Sequence, residues 1–463
     1  MEGKILSVEG NVYPLTDMGN AKMYADMFRN MVRYDMVRRS WLAWDGCRWS
    51  LKSGQIHTES LSRFVAEEWN KRMQATPFKD EAKLLKSHWQ YTCSCKGVWN
   101  MLHMAQSEDG LAVTENDLDQ WPMLLNCLNG TINLKTGLLR EHDPDDLITQ
   151  VIPINYDDSA ECNLWDRCIE DWHPDGAEDG TWDYLQRFSG YSLTGLTNSR
   201  CFPIFWGGGK NGKSVFIDTL LRMMGDYATV ASRTLLEAGE RSEHPTELAD
   251  LWKKRLVLVS EPKRGTQLKS GLVKSLTGDS EMSARFMRGD LFKFTITHKM
   301  VMLTQNLPKV DENSDAIWDR IHKVPWRVRI PVEKQDPNLV EKLRSEWPGI
   351  LRWAVQGCLK WQEPPGILQP TAKIVRETAG YRSEQEPTRK FVESVLILGK
   401  GMFLSNTELG SLVTQWNEFA DDDILNKKEV ADWLKEHDCS SGLRRMQGSR
   451  KRGWLGVGVR SDV

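Results

Sequence analysis

Within the eight residues Gly207-Gly208-Gly209-Lys210-Asn211-Gly212-Lys213-Ser214, four glycines lead into a lysine and a hydroxyl. The pattern is G-x-x-x-x-G-K-[ST], and its chemistry is phosphate binding. Glycines let backbone N–H groups turn inward around a phosphate chain with no side chain in the way. A helix starting where the loop ends adds the positive end of its dipole. Lys213 is then placed to reach the β- and γ-phosphates of a nucleoside triphosphate, and the Ser214 hydroxyl to ligate a metal ion. The expected cofactors are ATP and Mg²⁺. A glycine-rich turn with a chance Gly-Lys-Ser is the plain alternative, and the flanking residues speak against it.

Those flanks must hold the loop. Cys201–Trp206 is a strand-like apolar run, and Val215–Leu221 has helical spacing. Strands are expected at Phe202–Phe205 within that run, Arg255–Val259 and Met300–Leu303, alternating with helices as in an α/β core. The strand Lys254–Ser260 ends in Glu261, where an NTPase places the carboxylate that holds Mg²⁺ and polarises water. The run Val301–Gln305 ends in Asn306, an amide suited to sensing a γ-phosphate. Arg320, in Ala316-Ile317-Trp318-Asp319-Arg320, is a candidate for stabilising charge on a neighbouring subunit's nucleotide. Its competing role is a surface ion pair with Asp319 or Glu312. Between these, Arg288-Gly289-Asp290 reads as a turn before the alternating strand Phe292–Ile296, giving a hairpin with a basic tip.

Toward the C-terminus, Ser405 caps a helix through Phe419, a second helix runs from Asn426 to His437, and a strand pair spans Gly442–Val459. Two helices and a hairpin make a winged-helix-like order. The hairpin carries Arg444, Arg445, Arg450, Lys451 and Arg452, candidate contacts to a nucleic-acid backbone, although charge runs are often only solvated. Upstream, Trp41–Trp49 reads as a hairpin turning at Asp45-Gly46, and Leu124–Leu134 as another turning at Asn129-Gly130. Helical spacing runs from Asn163 to Leu193, broken at Pro174–Gly180, and an amphipathic helix is expected over 340–362.

The order of the Gly-Lys-Ser loop, Arg255–Glu261, Lys274–Arg285, Thr304-Gln305-Asn306 and Ile317–Arg320 resembles a superfamily-3 helicase of the phage and plasmid primase–helicase type, related to the poxvirus primase–helicase. Leu128–Gly137 and Phe188–Gly195 resemble the domain that precedes the core in that family. The resemblance covers roughly residues 30 to 385. It implies an AAA+-type P-loop NTPase core assembled as a ring hexamer that moves 3′ to 5′ on single-stranded DNA. On this chain it makes Lys213 and Ser214 the nucleotide and Mg²⁺ residues, Glu261 the catalytic acid and second metal ligand, Asn306 the sensor and Arg320 the finger. The 284–294 hairpin becomes the DNA-tracking loop, with Arg288 and Lys293 as its DNA-contact candidates and Lys274 as a further one upstream. Two departures stand out. Pro262 and Lys263 follow Glu261 where relatives often have a second acid, and the first 200 residues hold no carboxylate cluster of the primase kind.

Composition bounds the rest. At 463 residues, several domains are expected: 1–105 mixed α+β, 106–200 a collar-like pre-core region, 201–330 the NTPase core, 331–385 a helical lid and 386–463 the basic module. The net charge of −3 confines any nucleic-acid contact to local patches. Nine scattered cysteines without a C-x-x-C pair read as reduced thiols of a cytoplasmic protein with no structural metal. No run approaches 18 apolar residues, so no membrane partner is expected. The expected partners are single-stranded and forked DNA, five further copies of the chain and a separately encoded primase or polymerase. Three function classes follow: an ATP-driven helicase, an ATP-switched DNA-binding loader, and a small-molecule kinase. The hairpin, the trans-acting arginine and the basic module disfavour the last.

Overall fold

Five short runs pair into one parallel sheet: β1 (Phe202–Trp206), β2 (Ala228–Ala231), β3 (Leu256–Val259), β4 (Lys299–Thr304) and β5 (Ile321–Pro325), in the order β5-β1-β4-β3-β2. The computed structural model describes residues 5–52, 54–114, 116–237, 245–261, 266–287, 289–310, 314–385, 387–419, 425–446 and 449–460. All four residues of β3 and the first four of β1 are buried, as strands covered on both faces must be. β1, β3 and β4 lie where their apolar runs predict. β2 and β5 are less legible. Ala-Thr-Val-Ala forms a half-exposed edge, and β5 carries the polar pair His322 and Lys323 inside. Partners make that burial tolerable: Tyr184 Oη lies 2.8 Å from His322 Nδ1, and Lys323 Nζ is 3.2 Å from Glu377.

The helix α1 (Lys213–Met224) follows β1 directly through the glycine loop. Two further helices, Asn163–Trp172 and Thr181–Leu193, precede the sheet, separated at the Pro174–Gly180 break. The helix Trp347–Trp361 lies tightly against Thr181–Leu193. Two glycines allow that approach: a Cβ on Gly190 would stand 1.9 Å from Cys358 N, and one on Gly357 2.0 Å from Gln186 O. The single helix expected over 340–362 is two, Leu339–Ser345 and Trp347–Trp361, with Pro348 in the first turn of the second. Proline lacks the N–H that would continue the earlier helix. One apolar core runs through the pre-core helices, α1, the sheet and these later helices, so the stretch after 331 is packed into the body of the molecule.

The N-terminal unit joins a four-stranded sheet to the helices Asp17–Phe28, Gly54–Ala75, Lys79–Thr92 and Cys95–Ala105. A three-stranded meander, Leu124–Cys127, Gly130–Asn133 and Leu138–Arg140, follows; its first turn is Leu128-Asn129, one residue earlier than expected, because Gly130 already pairs with Cys127. The C-terminal unit adds a helix, Pro387–Val395, and a strand, Leu396–Ser405, to the two helices and hairpin read from the sequence. Its sheet pairs Leu396–Ser405 with Ser449–Val459, and that strand with Ser440–Met446. Ser405 and Glu408 form a reciprocal cap, Ser405 Oγ accepting from Glu408 N at 3.2 Å and Glu408 Oε2 accepting from Ser405 N at 3.0 Å.

Candidate functional site

The glycine loop crosses the C-terminal ends of β1 and β4, and its shape is forced from below. Gly207 has φ +156°, and a Cβ there would stand 2.1 Å from Trp326 O; one on Gly212 (φ +88°) would stand 2.3 Å from the Trp172 ring. Above, nothing lies within 4 Å of a Cβ on Gly208 or Gly209, so this stretch of backbone is open to a ligand. Lys210 takes φ +63°, a left-handed conformation costly for a side chain with a Cβ. An aromatic floor of Trp165, Trp172, Phe205, Phe216 and Trp326 lies underneath. Asn211 ties loop to floor, donating to Trp326 O at 2.8 Å. The sequence offered no reading of Asn211 as a strut or of Trp172 and Trp326 as a floor, because both tryptophans lie outside the motif.

Lys213 opens α1 and turns back over the loop. Its Nζ donates to Gly207 O at 2.7 Å, Gly208 O at 2.9 Å and Asn211 Oδ1 at 3.0 Å. Burial pushes this ammonium down to about 8, with Glu261 pulling in the opposite direction. Ser214 is exposed at the helix start. A cleft of about 350 Å³ is bounded by residues 209–215 on one side and by Ser260, Glu261, Thr304 and Gln305 on the other. Glu261 is fixed at the end of β3: its Oε1 accepts from Gln305 N at 2.8 Å, bridging to the end of β4. Pro262 and Lys263 lie outside the described residues.

Gln305, and not Asn306, is among the residues bounding the cleft. Asn306 is exposed one position further on; its N–H donates to Thr304 Oγ1 at 3.1 Å, and its carbonyl accepts from the same hydroxyl. Arg320 sits at the opposite end of the sheet, its carbonyl accepting from Phe202 N at 2.6 Å at the start of β1. It is half-buried, donates to Ala316 O, and makes no ion pair among the described residues; Glu312 lies outside them. A five-residue strand is about 16 Å long, so Arg320 is remote from the cleft of its own chain.

The hairpin is longer than expected, pairing Glu281–Arg285 with Leu291–Thr295. Met282, Ala284, Phe292 and Phe294 face inward, and Ser283, Arg285, Leu291 and Lys293 outward. Lys293 is therefore on the solvent face, while Arg288 lies outside the described residues. Lys274 is half-buried on the helix Ser270–Gly278 just before. In the C-terminal hairpin, Arg445 pairs opposite Arg450 and Leu443 opposite Arg452, so three arginines share one face; Arg444 and Lys451 share the other. All five cations are exposed, and Arg444 donates to Gly401 O at 2.7 Å. Among the described residues no group of three or more His, Cys, Asp and Glu could hold a metal, and no helix is long and apolar enough to cross a membrane.

The class of fold is a mixed α/β one shared with a solved structure, the apo A form of the NrS-1 C terminal region. The likeness has a TM-score of 0.50 at 11% identity and covers 92% of this chain and 96% of that one. Residues 21–174 match the family described as D5 N terminal like, and residues 205–320 match a family of unknown function, DUF5906. Among curated proteins, one from Acanthamoeba polyphaga mimivirus named as a helicase is 25% identical over 305 residues, 61% of this chain and 31% of that protein. Others named as helicases, from Frog virus 3 and Invertebrate iridescent virus 3, are 25% and 26% identical over 47% and 50% of this chain. Together these likenesses make the chain similar, over the matched stretches, to D5-like phage and viral primase–helicases. It spans 24–31% of the length of these curated relatives.

Proposed function

We propose that the chain is an ATP-dependent DNA helicase subunit with an AAA+-type P-loop core, acting as a ring on single-stranded and forked DNA in the replication of a phage, plasmid or integrated element. One observation carries this reading: a buried lysine and an open glycine backbone face a carboxylate across a single cleft at the ends of β1, β3 and β4. The strand order β5-β1-β4-β3-β2 supports it, because the loop and the acid then come from strands separated only by β4. ATP and Mg²⁺ fit the donor set. The open backbone at Gly208 and Gly209 suits phosphate oxygens, Lys213 supplies a cation, and Ser214 and Glu261 are the two oxygen ligands this chain would give Mg²⁺. Magnesium commonly takes one or two protein oxygens and completes its shell with water and phosphate. Bound Mg²⁺ would neutralise phosphate charge. Glu261, pinned by Gln305 N, is placed to orient a water. Polarity from 3′ to 5′ and a sixfold ring belong to the same proposal.

Displacement of a labelled strand from forked DNA tests the reading. ATP-dependent release supports a motor. DNA-stimulated hydrolysis without release would instead support an ATP-switched loader, and hydrolysis indifferent to DNA would remove both. In the motor reading the hairpin grips the strand, so Arg288→Ala with Lys293→Ala is expected to keep DNA-independent ATPase and lose DNA stimulation and strand displacement. Unwinding at the normal rate by that double variant, with assembly intact, would move the grip elsewhere.

The C-terminal module is read as winged-helix-like, and its wing as a backbone contact. Replacing Arg444, Arg445, Arg450, Lys451 and Arg452 with glutamine is expected to flatten the dependence of log K on log salt, each lost duplex phosphate contact removing about 0.9 from the slope. ATP binding should not change. An unaltered slope would leave these residues as solubilising charge.

A further inference from the structure

The turn Met36–Arg39 joins the strands Val32–Asp35 and Ser40–Trp44 of the N-terminal sheet, and three consecutive residues of it reach the core hairpin. Val37 packs against the apolar cluster that contains Trp252, Phe292 and Phe294. Arg38 sets its guanidinium 4.3 Å from the Trp252 ring centre and 5.9 Å from that of Phe286. Arg39 pairs with Asp290 in the hairpin turn at 2.7 Å. Phe286 in turn stacks on Phe292, 5.0 Å away with the rings 17° from parallel, and Trp252 lies 4.9 Å from Phe292.

Arg38 is not free to swing. Its Nη1 donates to Asp35 Oδ2 at 2.8 Å, while Asp35 Oδ1 accepts from the Val37 and Arg38 N–H groups at 3.0 Å each. The Asp35 carboxylate is wholly buried, and the Arg38 side chain is only 25% exposed. Trp252 precedes Lys253, which is buried, has φ +63° and pairs with Asp119 at 2.8 Å, and the chain then enters β3 on the way to Glu261. The outer side of the hairpin stays uncovered: Met287 is 83% and Leu291 68% exposed. The turn thus holds the inner side of the hairpin and leaves its outward face accessible. Of the two ionic contacts, Arg39–Asp290 is solvent-exposed and worth little, whereas a largely desolvated cation over aromatic faces is stronger.

We propose that Arg38 is a positioning residue through which the N-terminal unit braces the hairpin, preorganising it for DNA and tying its position to the base of β3. The inference rests on the hairpin being a DNA contact. A hairpin held in place loses less freedom on binding than a loose one. Removing the brace therefore weakens DNA engagement without touching the nucleotide cleft, which lies at the other end of β3.

The experiment uses the full chain with Arg38→Met and Arg38→Lys. Methionine keeps the apolar stem and removes the cation. In Arg38→Met, DNA-free ATPase is expected to stay as in the parent. The DNA concentration giving half-maximal stimulation should rise about five- to tenfold, on the scale of a partly desolvated cation–π contact. Amide hydrogen exchange across 281–295 in DNA-free protein should accelerate, a readout independent of activity. Arg38→Lys, which retains a charge without the guanidinium plane, should recover part of both effects. Unchanged half-saturation and unchanged exchange in Arg38→Met would overturn the brace. The underlying reading fails separately: Lys293→Ala with normal DNA stimulation removes the hairpin as a DNA contact, whereas a defective Lys293→Ala beside a normal Arg38→Met removes only the brace.

Discussion

Lys213→Ala is expected to reduce ATP hydrolysis to background while the chain remains folded. The lysine is held over the loop by two carbonyls and Asn211, at the end of the sheet where the loop, Glu261 and Gln305 meet. Losing one pre-positioned donor to transition-state charge typically costs about 10²–10³-fold in rate, and Lys213 would also contribute to ground-state binding. The fold should survive, because the deleted group is a buried cation whose desolvation opposes folding. Full turnover by a folded Lys213→Ala protein would falsify the phosphate-loop assignment. The same residue gives a pH dependence with a definite sign. Its ammonium titrates near 8 in the chain alone, and a polyphosphate beside it must raise that value. Binding then takes up a proton above pH 8, so ATP affinity should be flat below about pH 7.5 and fall by up to tenfold per pH unit above 8. Fluorescent-nucleotide titrations between pH 7 and 9.5 measure it, and Lys213→Ala should lose the slope.

What the sequence made legible has a physical pattern. The loop, the acid at the end of β3 and the strand leading to Gln305 and Asn306 were readable because short apolar runs ending in a polar residue mark the buried strands of a parallel sheet and the edge where they emerge. β5 was not readable, since His322 and Lys323 are satisfied by Tyr184 and Glu377, partners 138 and 54 positions away in the chain that no local pattern can announce. The same holds for the floor beneath the loop. Trp172 and Trp326 flank the glycines only after the pre-core helix and β5 come together. At the hairpin, alternation in Phe292–Ile296 gave its second strand, but the inward and outward faces needed the register Ser283↔Lys293, which puts Lys293 on the solvent side. The C-terminal unit was half legible: Ser405 announces its cap through Glu408, whereas in Leu396–Ser405 the glycines Gly399 and Gly401 interrupt any strand pattern. Gln305 presents the remaining contrast. The motif pointed to Asn306, and the geometry brings its neighbour to the cleft.

Arg320→Ala is expected to bind ATP nearly as the parent does and to hydrolyse it about a thousand times more slowly. The argument is one of position. Arg320 lies before β5, beside the start of β1, while the glycine loop leaves the far end of the same strand. No side chain spans that separation, so in the proposed ring Arg320 would touch nucleotide only in another subunit's cleft. A Cβ on Gly278 would stand 2.9 Å from Arg320 Nη2, so the guanidinium is seated against the helix Ser270–Gly278, which leads into the hairpin. In the proposed ring, an arginine in that seat would couple a neighbour's nucleotide to its own hairpin. Mixing tests the trans role directly. Arg320→Ala supplies an intact loop and Lys213→Ala an intact arginine, so in a random one-to-one assembly about a quarter of the interfaces pair the two intact groups. Activity should therefore reappear on mixing two proteins that are each inactive, and should vanish on dilution below the assembly concentration. Normal turnover by Arg320→Ala alone would reduce Arg320 to a structural cation between two elements of its own chain. An inactive mixture that still assembles would place the stimulating group elsewhere on the subunit face.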